Sequence, residues 1–478
     1  MKPIALINKG LLWVCLVGMN IWGQALHAQD WERARSDAFD PTQSALLGAA
    51  EPAQAQKKVD ASADGRLTLR SYLSGDNSET YDTPLISMTF LETDFHARGL
   101  TSLQLKLDLD ATFILDIAKA NERRFGETER LDQVRKISVS IPAGAFSIAL
   151  GRHLISTAGN AWVDGLDLKL EFDQRRAEVG VYGGLSPDRF DRSLTLDYQA
   201  LGLYAGVHRN TLDLSGAYNL ILNEGTLDRH FLHQRTHWQV IDGLFLSSYL
   251  ILDLINGPEA TTFLSTLDYT PIRPLNFSLS FTQYSLEQYR NQAIYRNVIE
   301  PNQALILGDE VINLTYQRLR FSASYRFIEQ WRTYLSAELK SRGQDGRRAQ
   351  VYISGVTCDD LLSSGVEVDA RFQFARQFMT SNLIFALSLR RELTSHLSVD
   401  ARFTTFNGET LDDGGERAQI FAEAQTIYLL GLSLNGRIGG AHYLALIYDG
   451  VFEDQVADFK SDEGIFIHTL SAVYSYRY

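Results

Sequence analysis

The chain has 478 residues, a formal charge of -13, 45% apolar side chains and a mean hydropathy of -0.14, with two cysteines. The acidic balance excludes nucleic acid as a natural partner, and two cysteines supply neither a disulfide framework nor a cysteine metal cluster. Beyond the amino-terminal leader no stretch approaches the ~20 consecutive apolar residues of a spanning helix, so a membrane signal must lie in alternation rather than in runs.

Lys2 and Lys9 precede an apolar run from Leu11 to Trp22, followed by Ala25, Leu26, His27 and Ala28. This basic, hydrophobic, small-residue order predicts a secretory leader, residues 1–28, cleaved after Ala28. Trp13 and Val14 stand before Cys15, where a lipid-attachment site prefers small residues, so Cys15 is assigned to the leader and Cys358 is the cysteine that remains. Losing Lys2 and Lys9 takes the formal charge from -13 to -15. Residues 29–64 are rich in Ala, Gln, Asp and Ser, include Pro41 and Pro52 and alternate little, which predicts a flexible periplasmic segment.

From Gly65 to Tyr478 the chain falls into alternating segments of about ten residues, the length a tilted strand needs to cross a bilayer. Leu103, Leu105, Leu107 and Leu109 alternate with Gln104, Lys106, Asp108 and Asp110; Leu166, Leu168, Leu170 and Phe172 alternate with Asp167, Lys169, Glu171 and Asp173. The same alternation runs from Val366 to Phe374 and from Leu397 to Phe403, leaving Asp369, Arg371, Asp400 and Arg402 on the polar parity. Tight turns at Thr270–Pro274, Ile328–Gln330 and Arg391–Ser395 are interleaved with longer connections at Lys119–Leu131, Ser285–Gly308, Gly408–Glu416 and Glu453–Glu463. Short turns on one rim and long loops on the other predict an all-β fold, a transmembrane antiparallel β-barrel with an even count of about 18 to 22 strands, 22 being the best parse. The polar parity is its expected lumen. Lys106, Arg152, Asp164, Asp369, Arg371, Arg390, Asp400 and Arg402 are the candidate pore-lining residues, and their mixed signs disfavour a single-sign filter.

The most distinctive internal stretch is Gly151, Arg152 and His153, followed by Trp162, Val163, Asp164, Gly165 and Leu166. It resembles the Gly-Arg-Gln, loop, Asp-Gly-Leu element of porin-like and polysaccharide-exporting barrels, alginate exporters among them, with His153 in place of the usual Gln. The resemblance implies that Arg152 and Asp164 stand near a constriction; the competing reading is glycines for close strand approach and charges paired with neighbours. The long Ser285–Gly308 connection, with Tyr289, Arg290, Tyr295 and Arg296, is a further candidate for folding inward. The late acidic connections lack the spacing of a calcium loop, the ten histidines are scattered, and no hydrolase elbow or phosphate-binding loop appears, so no enzyme, metal or cofactor is expected.

The chain ends on a strand with Leu470, Ala472, Tyr474, Tyr476 and Tyr478 on one parity. This resembles the carboxy-terminal signal by which the barrel-assembly machinery recognises Gram-negative outer-membrane proteins, with Tyr478 where Phe is usual, and it assigns Leu470, Tyr474, Tyr476 and Tyr478 to that role. The expected location is the outer membrane, and the expected partners are its lipid and lipopolysaccharide, the assembly machinery, and polysaccharide or periplasmic export proteins. The expected function is a channel for passive solute passage or for export of a polymer such as an exopolysaccharide. A scaffold barrel in an envelope secretion, surface-assembly or motility machine is the alternative, and an outer-membrane hydrolase the third.

Overall fold

A computed structural model describes residues 61–76, 86–101, 104–115, 133–187, 194–255, 257–285, 315–343, 346–378, 380–410, 425–453 and 465–477. The leader, the 29–60 segment, Leu103, Tyr478 and all of the Ser285–Gly308 connection except Ser285 lie outside them. The strands are β1 Ser62–Asp76, β2 Ile86–Arg98, β3 Lys106–Leu115, β4 Gln133–Ala143, β5 Phe146–Ile155, β6 Ala161–Phe172 and β7 Ala177–Leu185. There follow β8 Tyr198–Arg209, β9 Leu212–Asn223, β10 Thr226–Ile241, β11 Leu244–Asp253, β12 Glu259–Ile272, β13 Leu275–Ser285, β14 Thr315–Ile328 and β15 Trp331–Arg342. The wall is completed by β16 Arg348–Cys358, β17 Val366–Arg376, β18 Thr380–Thr394, β19 Leu397–Thr410, β20 Gln425–Ile438, β21 His442–Glu453 and β22 Ile465–Arg477.

Each strand pairs antiparallel with its chain neighbours, and β1 pairs with β22 from Arg66↔Arg477 to Asp76↔Ile467, which closes a 22-stranded sheet on itself. Closure is what lets strands replace helices in hydrocarbon, because it leaves no edge with unmet backbone groups. The expected tight turns appear as Arg273–Pro274, Glu329–Gln330 and Ser395–His396, all on the rim that also holds Asp242–Gly243. Gly243 sits at φ 78, the left-handed conformation that a two-residue hairpin turn demands. Among the expected longer connections, Lys119–Leu131 lies wholly outside the described residues, between β3 and β4.

The two faces separate cleanly. Leu67, Leu69 and Leu73 on β1, Leu383, Phe385 and Leu389 on β18, and Leu430, Leu432 and Leu434 on β20 are all exposed and all on one parity of the register. The opposite parity carries Arg66, Thr68 and Arg70 on β1, and Asp400, Arg402, Ser433 and Asn435 on β19 and β20. That second set is the concave one, since its side chains reach across an intervening strand: the Tyr334 hydroxyl on β15 donates to Asp369 on β17 at 3.1 Å. An apolar outside and a polar inside invert the order of a soluble barrel. Near the short-turn rim the outer face changes from aliphatic to aromatic, with Phe146, Phe172, Trp238, Tyr269, Tyr325 and Tyr474 exposed there, the girdle expected at a membrane–water boundary. Leu470 and Tyr474 are on this outer set, and the Tyr474 hydroxyl lies 2.8 Å from His442 Nδ1.

Candidate functional site

The site is the β5–β6 hairpin, and glycines decide its path. Gly151 on β5 pairs with Gly165 on β6, which pairs with Gly184 on β7. A side chain at Gly165 would run into the Gly183 carbonyl and the Gly184 backbone, and one at Gly151 into the Ile137 carbonyl. Gly151 also holds φ at 113, which side-chain-bearing residues avoid. Past this row the hairpin has no wall strand beside it: β7 ends at Leu185, opposite Asp164, and β4, which runs on to Gln133 against β3, pairs with β5 only as far as Arg152. Residues 153–163 therefore pair only with one another.

They are nonetheless buried. Val163 and Ala158 are 0% exposed, and with Ile155 they pack on Tyr182 of β7, Ala200 and Tyr204 of β8 and Ala217 of β9. Thr157 donates its hydroxyl to Glu178 Oε1 at 2.5 Å. Thr157 is six residues beyond Gly151, while Glu178 is six residues back from Gly184 in the same glycine row. Contact between them requires the hairpin to double back at the glycines and lie down inside the barrel, each residue past the crease meeting wall residues about as far before it. The 3-10 turn Ser156–Ala158, with Gly159 at φ 79 and Asn160 at φ 60, reverses the chain at the tip.

The wall beneath is prepared for this load. The rings of Tyr182 and Tyr204 lie where side chains at Gly202 and Gly180 would otherwise stand, so both tyrosines lie flat. Their hydroxyls donate to Asn219 at 2.5 Å and Asp167 at 2.9 Å. Gly165→Val is expected to cost about 1–3 kcal/mol by overpacking against backbone that cannot yield, while Gly216→Ala, whose new carbon meets only the His233 carbonyl at 3.6 Å, should be neutral. Urea unfolding in detergent micelles checks both.

The fold turns over the faces of the hairpin. Ile155 and Val163 face the wall, so the other parity, Arg152, Leu154, Trp162 and Asp164, belongs to the free face, where Leu154 is exposed. Arg152 and Asp164 meet at the crease: Nε donates to Oδ1 at 2.6 Å, Nη2 to Oδ2 at 2.5 Å, and Nη1 to the Val134 carbonyl at 2.8 Å. Their side chains are only 8% and 11% exposed, so this pair is clamped rather than open to solvent.

The remaining sequence candidates lie elsewhere on the inward set. Lys106 stands on β3, between Arg98 and Ser140 in the register. Asp369, Arg371, Arg390, Asp400 and Arg402 stand on β17 to β19, and in a ring of 22 strands β18 is eleven strands from β7, diametrically opposite the hairpin's seat. There Arg390 and Asp400 face one another in the register with Nε and Oδ1 at 3.7 Å, and Asp400 accepts from Ser433 at 3.1 Å and Asn435 at 2.8 Å. Sequence reasoning did not find Glu178, Tyr182, Tyr204, Asn219 or His233, the groups that receive the hairpin. Their only trace is the small-residue alternation around them, Gly180 to Gly184 and Ala200 to Gly206.

A closed antiparallel wall with lipid-facing leucines, an aromatic girdle and a polar lumen partly covered by a folded-in hairpin defines a transmembrane β-barrel of the Gram-negative outer-membrane, porin-like class. No family model and no curated protein matches the chain. Among solved structures it is similar to OccK11 (OpdR) of Pseudomonas aeruginosa, 12% identical over 88% of this chain and 96% of that one with a TM-score of 0.43. It is also similar to OpdQ of the same organism, 7% identical over 88% and 98% with a TM-score of 0.44, and to OccAB3 of Acinetobacter baumannii, 11% identical over 87% and 99% with a TM-score of 0.40. These likenesses are too distant to carry a substrate across.

Proposed function

We propose that this barrel is an outer-membrane channel for passive passage of small polar solutes, with the β5–β6 hairpin narrowing its lumen against the charged wall of β17 to β19. The observation that carries the reading is the hairpin laid on the inner wall, pinned by Thr157 and Glu178 and packed through Ile155, Ala158 and Val163. A ring of 22 strands is roughly 40 Å across from backbone to backbone, too wide for wall side chains to fill, so water enters and an inward element sets the passable width. The mixed signs of Asp369, Arg371, Arg390, Asp400 and Arg402 fit weak ion selectivity. Polymer export draws no support from an element that narrows the path. The same reading expects a cleaved leader at residues 1–28, a periplasmic segment from 29 to the start of β1 at Ser62 rather than to 64, and an assembly signal at Leu470, Tyr474, Tyr476 and Tyr478 read by the barrel-assembly machinery.

Planar-bilayer recording tests the channel. Purified protein should conduct with weak selectivity, and replacing residues 152–164 by an Asn-Gly turn should raise single-channel conductance several-fold. Equal conductance in the two forms would place the narrowing elsewhere, and a folded barrel that never conducts would leave the scaffold alternative.

A further inference from the structure

We propose that the β5–β6 hairpin is a hinged gate, released from the lumen wall when His233 takes up a proton. This rests on the channel reading above and adds its regulation.

His233 lies on the inward set of β10, is 3% exposed, and has no hydrogen-bond partner for Nδ1 or Nε2 among the described residues. The hairpin tip covers it: a carbon added to Gly159 would stand 2.6 Å from its Cγ. From β11 the Tyr249 ring packs edge-on with centroids 4.9 Å apart. Beside it on β9, Ser215 Oγ and Asn219 Nδ2, both in residues 1% exposed, also lack partners among the described residues. A neutral imidazole endures this at the cost of its unmet groups. An imidazolium is far worse placed, because it adds a second N–H donor and a charge where neither ring nitrogen has a hydrogen-bond partner among the described residues and the ring is 3% exposed.

The surrounding charges give it no counter-ion. On β10 Arg235 stands two residues away on the same face, and Arg229 is held by Asp253 of β11 at 3.1 Å. On β9 Asp213 faces Arg235 at 3.5 Å and His208 of β8 at 3.1 Å. On β7 Glu178 is shared by Thr157 and by Lys169 of β6 at 3.4 Å, with His208 at 3.7 Å, and Asp167 of β6 accepts from Tyr204 of β8. The carboxylates just named are engaged, Asp228 is buried five residues back on β10, and the closest formal charge along the strand is a like one. On the hairpin itself the wall-facing His153 is 6% exposed and donates from Nδ1 to the Gly151 carbonyl at 2.9 Å.

Release breaks little. Residues 153–163 share no ladder with the wall, the crease has glycine on both strands, and among the described contacts the hairpin meets the wall through the Thr157–Glu178 hydrogen bond and the packing of Ile155, Ala158, Ala161 and Val163. Detachment hydrates His233, Ser215 and Asn219 together. The proton binds the hydrated ring more tightly than the covered one, so by linkage the hairpin stays down above the ordinary histidine range and lifts as pH falls through it.

The test reads burial of the tip directly. Full-length protein carrying Cys358→Ser and Ala158→Cys, folded in nanodiscs, is labelled with a water-soluble maleimide, its rate normalised to Leu362→Cys, a position 91% exposed on the short-turn rim. The normalised rate should rise about tenfold from about pH 7.5 to about pH 5, and His233→Phe should abolish the rise. Should Ala158→Cys prevent assembly, Ala217→Cys reads the wall side of the same contact. A normalised rate that does not change with pH, or a rise that survives His233→Phe, overturns the gate. Labelling needs no conductance, so a pH-responsive tip on a non-conducting barrel refutes the channel alone, and a conducting barrel with a pH-indifferent tip refutes the gate alone.

Discussion

Asp164→Asn should destabilise the folded barrel by about 3 kcal/mol, the scale seen when one member of a buried ion pair is removed. The side chain keeps its shape, so the loss is electrostatic: the Arg152 guanidinium keeps the Val134 carbonyl but loses the carboxylate that takes both Nε and Nη2. Placing two charges where they are only 8% and 11% exposed has already cost their hydration, and a lone cation cannot recover it without moving. The pair itself is replaceable. Arg152→Leu with Asp164→Leu should recover most of the lost stability, because no charge then remains at the crease. Urea titration of the three variants in micelles, followed by tryptophan fluorescence, separates the outcomes; a double variant as unstable as Asp164→Asn would mean that the pair's geometry, rather than its charge balance, holds the crease.

Leu432→Arg should cost about 2–4 kcal/mol, whereas Leu429→Arg on the same strand should cost little. Leu432 lies mid-strand on β20 among the exposed outward leucines, so an arginine there meets hydrocarbon. Leu429 has the opposite parity and pairs with Thr404 and Val451 on the inward set, where an added charge meets water. Heat-modifiability on gels and refolding yield into lipid vesicles report the difference. Equal penalties for the two would mean that the lumen is as apolar as the outside, and would remove the aqueous path.

Both variants rest on parity, and parity was legible in the chain itself. Leu470, Tyr474 and Tyr476 read as an outward ribbon and stand on the outward set; Val366 to Phe374 and Leu397 to Phe403 read as strands with Asp369, Arg371, Asp400 and Arg402 on the polar side, and do so in the register. The strand period is two, so a residue's face follows from counting, and a one-residue slip would put every charge of a strand into lipid. The strand count of 22 and the tight turns followed from the same alternation, with the wall starting at Ser62 rather than Gly65 because Ser62 still pairs with Arg98.

Counting fails where the backbone leaves the sheet. Along β5 and β6 parity assigns Arg152 and Asp164 to the face of Leu150 and Leu166, which is lipid; only the crease at Gly151 and Gly165 turns that face inward. Their being a pair was open in the sequence beside a pore-lining reading, and the geometry shows a pair clamped at a fold line. Glu178 and His233 carry no signal in the order of residues, since 21 and 74 positions separate them from Thr157 and Gly159. Local alternation thus determined the barrel, its two faces and its closing strand, because those depend on a short-range period. The place where the hairpin lies down, and what it covers, was decided by tertiary structure, because contact between a tip and a wall several strands away depends on the closed curvature of the whole sheet.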